Sequence, residues 1–413
     1  MSPSSAIVIV CDLVPASLLA PWGCTWLETP CTSRLASESL LIETHWASSA
    51  SLATLYDSYW TGKHPLEKMA VANPSLIERL AQKKIEQTLI TDEPQLVALP
   101  AAQHFSEVIH LPPVEEAVPS EAVDATGMWQ LAQLAIEHLT TKSAARQGSL
   151  TWIHLQGLLA PWDAPTEWRT ELADEDDPEP PTTTTPPVAL VTEATDPDLL
   201  LGWQQAAAAQ VRVLDQVLGE LMTAIDTLEG DPLVIFTSPR GYPLGFHGRI
   251  GPTGASLYSD LLHTPLLVRF PRDATGNRPG KLYREQNLTQ PEQLYQLLLE
   301  HVAFEDREPT STLYAMAHDL DFMPQERAVT AERDERLLRT RAWQLLVRKV
   351  AGDEQFELFA KADDRWEVNE VARRLPTVVQ QLAAELASFE AAAEQQALTT
   401  LPKLPEVLAD QRH

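Results

Sequence analysis

The chain has 413 residues, of which 44% are hydrophobic, and a formal net charge of −27 from 58 acidic and 31 basic residues. This length and apolar content allow one large domain or two ordinary ones with a well-developed core. The acidic balance argues against a nucleic acid or a sulfated polymer as partner, because both need a basic surface. It fits a solvated surface that keeps a protein soluble.

The three cysteines, Cys11, Cys24 and Cys31, are odd in number and irregular in spacing, which does not suggest a disulfide scaffold. Reduced thiols fit a cytosolic protein better. The first residues carry no basic side chain, and the apolar run 6–10 is too short for the core of a signal peptide. No stretch approaches the roughly 18 apolar residues of a membrane span. We therefore predict a cytoplasmic protein with no membrane partner.

Buried strands and a long helix alternate along the chain. The run AIVIVCDL at 6–13 is typical of a strand that is buried on both faces. Residues 198–228 are rich in Ala and Leu with helical periodicity, and the apolar runs at 233–237 and 264–271 indicate further strands. The pattern predicts a three-layer α/β domain, with helices on both faces of a large, mainly parallel sheet. That sheet should include strands at about 6–11, 151–155, 233–237 and 265–269.

Two segments depart from this pattern. Residues 173–197 are dominated by Pro, Thr and acidic side chains, which predicts an exposed, mobile loop, with a binding role left open. From about residue 330 the sequence favours two short strands joined by a turn, followed by an amphipathic helix at 375–397. We therefore predict a main domain at 1–325 and a small C-terminal α/β subdomain at 326–413.

A series of motifs suggests a family. In chain order they are DLVPASLLAPWG at 12–23, LETPCTSRLASESLLIETHWAS at 27–48, TGKHP at 61–65, TWIHLQGLLAPWDAP at 151–165 and LVIFTSPRGYPLGFHG at 233–248. A strand pair with a following turn in the C-terminal region completes the series. In order and spacing these segments resemble the sulfatase branch of the alkaline phosphatase superfamily, over most of the chain.

The resemblance implies a chemistry as well as a fold. A sulfatase of this kind uses a formylglycine made from Cys or Ser, and a divalent cation, usually calcium, held by carboxylates. Lys and His donors then stabilise the developing charge. Phosphatases of the superfamily keep this plan with a Ser or Thr nucleophile and zinc. In both, metal and nucleophile act together as Lewis acid and activated oxygen.

The positions that the resemblance assigns to this chemistry are mostly replaced. Counting back from the Thr-Gly turn at 61–62, the nucleophile position holds Leu52 and the activating Arg position holds Tyr56. The opening pair of acids is Asp12-Leu13, so one carboxylate remains. The family's central-loop His falls on Leu159.

Further replacements lie beyond the second long strand. The family's Asp-His or Asp-Asn pair falls on Pro239-Arg240, and its Lys falls near Gly254. The remnant pocket that the resemblance implies therefore contains six residues, of which Asp12, Lys63, His64 and His247 keep plausible family chemistry. Its members are Asp12, Leu52, Lys63, His64, Arg240 and His247.

This residue set does not suit a divalent cation. Leu13 and Pro239 have no ligating side chain, and Arg240 brings a fixed positive charge, whereas such an ion takes about six or more oxygen ligands. We therefore predict no bound metal and no cofactor, although the family would use calcium. We expect Arg240 to occupy the former metal space and to pair with Asp12, which ends a buried strand. The alternative is an Arg240 side chain that turns outward to solvent.

The other candidate residues have simpler interpretations. Cys31 has Arg34 at the wrong spacing for the sulfatase signature, and a reactive Cys also needs a basic neighbourhood. His45, His154 and His263 have no carboxylate or Cys at ligand spacing, so we expect them to be packed or solvated. The rigid turn formed by Trp162-Asp163 between prolines is a structural clamp or, alternatively, a recognition surface.

Three functional hypotheses follow. The first is a sulfatase-like pseudoenzyme that binds an unknown protein or small molecule, or acts as a scaffold, while the fold persists without catalysis. The second is an active but atypical sulfuric-ester or phosphoric-ester hydrolase that uses Asp12, His64 and His247 with a different nucleophile. The third is a subunit of a complex, recognisable by exposed apolar area.

Overall fold

The structure is a computed structural model that describes residues 4–68, 74–112, 117–142, 148–254, 256–303, 309–361 and 363–409. Within those residues, no helix combines the length and the apolarity that crossing a bilayer requires. A central eight-stranded sheet has the strand order β10-β2-β9-β7-β1-β5-β3-β4. Its strands are β1 (Ala6–Cys11), β2 (Leu40–Trp46), β3 (Glu86–Thr91), β4 (Glu107–His110), β5 (Ser149–Leu155), β7 (Leu233–Thr237), β9 (His263–Arg269) and β10 (Arg284–Glu285).

The central sheet is mainly parallel, as the sequence predicts. Strand β1 lies between β5 and β7 and is parallel to both, and β3 continues the parallel set beside β5. Strand β9 alone reverses direction and pairs antiparallel with both β7 and β2. The four strands expected in one sheet are all present in it, and the predicted three-layer architecture is confirmed.

Helices cover both faces of this sheet. The helices are α1 (Pro30–Ser37), α2 (Leu52–Thr61), α3 (Leu76–Gln82), α4 (Pro94–Val97), α5 (Gly127–Lys142), α6 (Thr166–Thr170), α7 (Pro197–Ile225), α8 (Ser259–Leu262), α9 (Gln293–Ala303), α10 (Thr312–Ala317), α11 (Pro376–Glu394) and α12 (Glu406–Ala409). Helices α1, α5 and α7 pack on one face, and α2, α3, α9 and α10 on the other.

Strand β1 shows why its sequence is continuously apolar. Ile7 and Ile9 face the core under α5 and α7, whereas Val8 and Val10 face the core under α2 and α9. Successive side chains of a strand point to opposite faces, so a strand covered on both sides needs an apolar residue at every position. All six residues of β1 are buried.

The C-terminal region contains four strands, whereas the sequence pattern predicted two. Strands β11 (Ala328–Glu332), β12 (Glu335–Arg339), β13 (Trp343–Val350) and β14 (Asp353–Ala360) form an antiparallel meander. The prediction was wrong for two reasons: it did not include β11, and it counted β12 and β13 as one strand. These two are separated by a tight turn in which the Thr340 N–H donates to the Trp343 carbonyl at 2.8 Å. Helix α11 packs on one face of this sheet.

The other face of the C-terminal sheet is also buried. Leu337 and Leu346 join a cluster with Trp46 and Leu55 from the main region, and all four side chains are at most 2% exposed. This apolar contact joins the two sheets across the ends of β2 and α2. The proposed boundary near residue 325 therefore separates two sheets that share a core.

The acidic segment 173–197 runs over the surface but contacts the main region at defined points. Most of its residues are exposed or half-buried, and a two-residue strand β6 (Ala189–Leu190) pairs with β8 (Arg249–Ile250). Fully buried Arg169 donates to the carbonyl of Thr183 at 2.9 Å. Tyr242 donates to the carbonyl of Pro187. These contacts hold the segment to the domain.

Helix α1 starts at a carboxylate supplied by α7. Asp215, which is 3% exposed, accepts hydrogen bonds from the backbone N–H of Cys31 at 2.9 Å and of Thr32 at 2.7 Å. The Thr32 hydroxyl donates to the same carboxylate at 2.6 Å. Two helices that are far apart in sequence are therefore joined by one buried acid, which also satisfies the free N–H groups of the first turn of α1.

We expect Asp215→Ala to lower the free energy of unfolding by about 3 kcal/mol, because it leaves buried donors without an acceptor. The matched control is Glu220→Ala on the exposed face of the same helix, which should change stability by less than about 0.5 kcal/mol. Urea unfolding followed by circular dichroism measures both. Equal midpoints for the two variants would contradict the role given to Asp215.

Candidate functional site

Polar residues follow four neighbouring strands at the same edge of the central sheet. Asp12 follows β1, Asp92 follows β3, Gln156 follows β5 and Ser238 follows β7. Because these strands are parallel, their carboxyl ends meet at this edge, which is where open α/β sheets place ligand sites. All four side chains are buried. The candidate site is therefore assembled from segments up to 226 residues apart in sequence.

Asp12 and Arg240 form the ion pair that the sequence predicts. Arg240 Nη2 donates to Asp12 Oδ2 at 2.9 Å, and Nε donates to Oδ1 at 3.2 Å. The Asp12 side chain is completely buried and that of Arg240 is 14% exposed. Burial by itself lowers the pKa of Arg240, but the Asp12 carboxylate outweighs burial and the net pKa is raised. This bidentate salt bridge confirms the expected contact and excludes an Arg240 side chain that points to solvent.

Short backbone contacts hold the two loops that carry this pair. Leu13 adopts a left-handed φ of 63°, and its N–H donates to Asp12 Oδ1 at 2.9 Å. Ser238 donates to the Arg240 carbonyl at 2.7 Å and accepts from the Val14 N–H at 3.1 Å. A Cβ on Gly241 would lie 2.1 Å from the Asp260 carbonyl oxygen, so only glycine fits there. The backbone of the two loops that carry the ion pair is therefore held in place by these hydrogen bonds and by the close approach at Gly241.

Arg240 also reaches the start of α2. Its Nη1 donates to the carbonyl of Ala50 at 2.8 Å, two residues before the helix begins. Ser51 is the N-cap, and Leu52, which holds the nucleophile position, is 2% exposed and packs in the core beneath α2. The guanidinium therefore links the end of β1 to the first turn of α2.

Tyr56, at the activating Arg position, makes a buried polar contact. Its hydroxyl shares a hydrogen bond of 2.6 Å with Nδ1 of His154 and accepts from Trp152 Nε1 at 3.1 Å. Burial raises the pKa of Tyr56 and lowers the pKa of His154 to about 4, so both side chains are neutral near pH 7. Both residues are fully buried, and they stabilise the layer between β5 and α2.

A cleft opens above the ion pair. This Arg240 cleft has a volume of about 480 Å³ and is bounded by the start of α2, the loop at 252–254 and the β11–β12 turn. Ser51, Leu159 and Gly254 lie on its wall beside Arg240, and Glu335 lies on the opposite side. The positions that the family resemblance assigns to a His and a Lys, which hold Leu159 and lie near Gly254, therefore meet at one cleft. The nucleophile position, Leu52, is not on the cleft wall but is buried next to Ser51, which does line the cleft.

The three remaining candidates lie apart from this cleft. His64 contacts the Val329 carbonyl through Nε2 at 2.9 Å and packs on Phe389, and burial lowers its pKa to about 4. His247 stacks on Tyr258 and lies 3.6 Å from a carboxylate oxygen of Glu367. Neither imidazole is available to the Arg240 cleft.

Lys63 is half-buried, and among the described residues it forms no ion pair. The structure therefore brings together Asp12 and Arg240 from the predicted pocket, and does not bring Lys63, His64 or His247 to them. Leu52 is buried at the start of α2, two residues after the Ala50 carbonyl that Arg240 contacts.

The other sequence candidates have structural contacts. Trp162 is fully buried and donates to the Leu158 carbonyl at 3.0 Å, and Asp163 accepts from the Gly127 N–H at 2.7 Å. These contacts support the clamp interpretation of this turn. Burial and the Asp215 carboxylate raise the pKa of Cys31, which lowers its thiolate fraction.

His45 and His263 are packed rather than catalytic. Burial lowers their pKa values to about 3 and about 4 respectively. His45 Nδ1 lies 2.8 Å from the Thr289 hydroxyl oxygen, and His263 stacks on Trp46 with ring centroids 5.7 Å apart.

Solved structures of hydrolases resemble this chain over almost its whole length. A phosphonate monoester hydrolase of Agrobacterium radiobacter matches with a TM-score of 0.75 at 16% identity, covering 97% of this chain and 100% of that one. A putative sulfatase from Bacteroides fragilis matches with a TM-score of 0.72 at 16% identity, covering 96% and 97%. A phosphonate monoester hydrolase from Silicibacter pomeroyi matches with a TM-score of 0.71 at 14% identity, covering 98% of each chain.

The chain has the fold of these sulfatase and phosphonate monoester hydrolase structures. No family model matches the sequence, and no curated protein matches it. At identities of 16% or less the likeness concerns the sulfatase fold alone, so the chemistry has to be argued from the residues at the site.

The calcium that the sulfatase fold implies does not suit the residues present. The one retained carboxylate, Asp12, is already neutralised by Arg240, and the adjacent positions hold Leu13 and Pro239, which offer no side-chain oxygen. Among the described residues, no group of three His, Cys, Asp or Glu side chains is arranged to hold a metal ion. A hard divalent cation needs several charged oxygen ligands, so this donor set does not fit it.

Sequence reasoning missed a second acidic group at the same edge of the sulfatase fold. Asp92 accepts from the Gln156 backbone N–H at 2.8 Å, and Glu93 accepts from the Gln156 side-chain amide at 3.0 Å. Both acids are at most 9% exposed. The only signal in the sequence is an acidic pair directly after a strand, which is too common to point to a site.

We expect Arg240→Ala to lower the free energy of unfolding by about 3 kcal/mol, because it leaves the buried Asp12 carboxylate without a counter-ion. Urea unfolding at pH 7 measures the change. The control is Arg333→Ala, an exposed residue on the same cleft, which should change stability by less than about 0.5 kcal/mol. An Arg240→Ala protein with the wild-type midpoint would refute the role given to the pair.

A pH dependence follows from Asp92. Burial raises the pKa of Asp92 to about 7, from an unfolded value of 3.8. Between these values the folded state holds a proton that the unfolded state has released, so stability falls as pH rises from about 4 to 7. We expect Asp92→Asn to remove this decline, and to exceed wild-type stability at pH 8 by up to about 4 kcal/mol.

Thermal and urea unfolding at pH 4.5 and pH 8 test the Asp92 prediction. The exposed control Asp124→Asn should leave the pH profile of wild type unchanged. If the difference in unfolding free energy between Asp92→Asn and wild type is the same at both pH values, Asp92 is ionised in the folded state at both, against the prediction.

Proposed function

We propose that the protein is a non-catalytic member of the sulfatase fold, a pseudoenzyme with a binding or scaffolding role. The observation that carries the proposal is the position of Arg240. Its guanidinium binds Asp12 with two nitrogens and the Ala50 carbonyl with the third. It therefore fills the space between the end of β1 and the start of α2, where the family resemblance implies a metal ion.

The replacement changes what the site can do. A guanidinium has N–H donors in a fixed plane and stays protonated, so it neutralises a carboxylate without offering an open coordination position. Catalysis of ester hydrolysis in this superfamily requires an activated oxygen next to a Lewis acid. Leu52 supplies no oxygen, and Tyr56 cannot replace the activating Arg because its hydroxyl is occupied by His154 and Trp152.

The alternative of an active, atypical hydrolase needs a different nucleophile at the Arg240 cleft. Ser51 is the hydroxyl residue nearest to the replaced position, but its Oγ is the N-cap acceptor for the Thr54 N–H at 3.5 Å. A general base within reach is also required. His64 and His247, the expected bases, contact other groups elsewhere. The geometry therefore supports the pseudoenzyme better.

The cleft itself supports a binding role. Its volume of about 480 Å³ lies in the range of small-molecule sites. Its rim carries charges of both signs, with Arg333 beside Glu332, Asp334 and Glu335. Such a mixed rim is compatible with a small molecule or a protein segment.

The test is an assay of the purified protein with aryl sulfate, phosphate-ester and phosphonate-monoester substrates, with and without added calcium, magnesium, manganese or zinc. We expect no turnover above the buffer rate, and elemental analysis after dialysis should find no stoichiometric metal. Ser51→Ala is the diagnostic variant and Ser49→Ala its neighbouring control. Turnover that Ser51→Ala abolishes and Ser49→Ala retains would overturn the proposal in favour of the hydrolase.

A further inference from the structure

A second cleft lies between the central sheet and the C-terminal sheet and shares no lining residue with the Arg240 cleft. This Arg339 cleft has a volume of about 510 Å³ and is bounded by the end of β2, the loop at 20–23 and the ends of β12 and β14. Its wall carries four basic side chains and one acid. The basic residues are Arg284, Arg339, Lys361 and Arg365, and the acid is Glu43.

The charge of this cleft is opposite to that of the whole chain. The protein has a net charge of −27, yet within the described part of the chain only two of the four cations here form a salt bridge. Arg284 pairs with Glu43 at 2.6 Å, and Lys361 pairs with buried Glu367 at 2.7 Å. Among the described residues, no ion pair involves Arg339 or Arg365. A local positive potential of this kind attracts anions.

Arg339 is buried and, among the described residues, has no direct salt bridge, although the Glu367 carboxylate is close enough to oppose the lowering of its pKa by burial. It is 6% exposed, and its Nη1 donates to backbone carbonyls that include that of Arg341 at 3.2 Å. Its Nε is buried and has no hydrogen-bond partner among the residues that the structure describes. The guanidinium lies 5.5 Å from the ring centre of Trp46, and burial lowers its pKa to about 9. An arginine is rarely buried unpaired, because desolvating the charge is costly.

Arg365 is held at the mouth of the same cleft. Its Nη2 donates to the Trp22 carbonyl, and its guanidinium lies 5.0 Å from the ring centre of Trp366. A Cβ on Gly23 would lie 2.8 Å from Arg365 Nη1, so the glycine allows this close approach. The charge is therefore fixed at the rim instead of moving freely in solvent, which reduces the entropy lost when an anion binds.

We propose that the Arg339 cleft binds a small organic oxyanion that carries more than one negative charge, in the form of phosphate or carboxylate groups. The guanidinium groups of Arg339 and Arg365 are the principal donors, since planar N–H donors match the oxygens of such groups. The concave shape and the volume favour a small molecule over a flat protein surface. The proposal does not depend on whether the Arg240 cleft is catalytic.

Isothermal titration calorimetry tests this proposal with pyrophosphate and citrate as probes, at constant ionic strength in potassium chloride. We expect at least one of the two to bind with a stoichiometry of one, and the preferred probe distinguishes phosphate from carboxylate chemistry. Arg365→Gln should weaken that binding at least ten-fold. The exposed Lys281→Gln removes the same charge outside the cleft and should bind as wild type does.

Arg339→Gln provides a second, independent variant. If it folds, it should lose binding of the probe that the wild-type protein prefers, because one of the two principal donors has been removed. If it does not fold, the Arg365→Gln result decides. Absence of binding by both probes, equal weakening by Lys281→Gln, or binding of an acidic hexaglutamate peptide alone would overturn the proposal.

Discussion

A fully buried carboxylate at the end of β1 is the constraint around which this end of the molecule is organised. Asp12 follows the central strand of an eight-stranded sheet, where no water reaches it, so its charge must be neutralised within the protein. Arg240 supplies the opposite charge, and the loop after β7, the left-handed turn at Leu13 and the start of α2 are arranged around it. The pair thus orders three loops that together form the floor of the Arg240 cleft.

The cation that neutralises Asp12 decides whether this position can also bind a ligand through a metal ion. A divalent ion held by several carboxylates has ligand positions to exchange, whereas the guanidinium joined to Asp12 and Ala50 offers N–H donors and no coordination position. Arg240 therefore balances the Asp12 charge without a metal ion, which is the basis of the pseudoenzyme proposal. Tyr56 illustrates the same change, since its buried hydroxyl now packs against β5 through His154.

The C-terminal sheet completes both clefts. The β11–β12 turn forms one side of the Arg240 cleft, while Arg339 and Lys361, at the ends of β12 and β14, line the other. Because this sheet shares a core with the ends of β2 and α2, its charged residues are held at fixed positions relative to the central sheet. A strongly acidic protein thereby presents a concave basic surface. This surface results from the local arrangement of four side chains and not from the net charge of the protein, which has the opposite sign.

The sequence by itself determined the architecture. A central strand that is buried on both faces has a continuous apolar run, and the helices that pack on the sheet show helical periodicity of apolar residues. It also predicted the Asp12–Arg240 pair, since the resemblance to the sulfatase family assigned both residues to one pocket at the edge of the sheet. The number of C-terminal strands was decided by a turn at Thr340 that leaves little composition signal. The dispersal of His64 and His247, the Asp92 group and the unpaired Arg339 were decided only by tertiary structure. Each depends on the burial and partners that distant segments supply, and a local residue pattern does not contain that information.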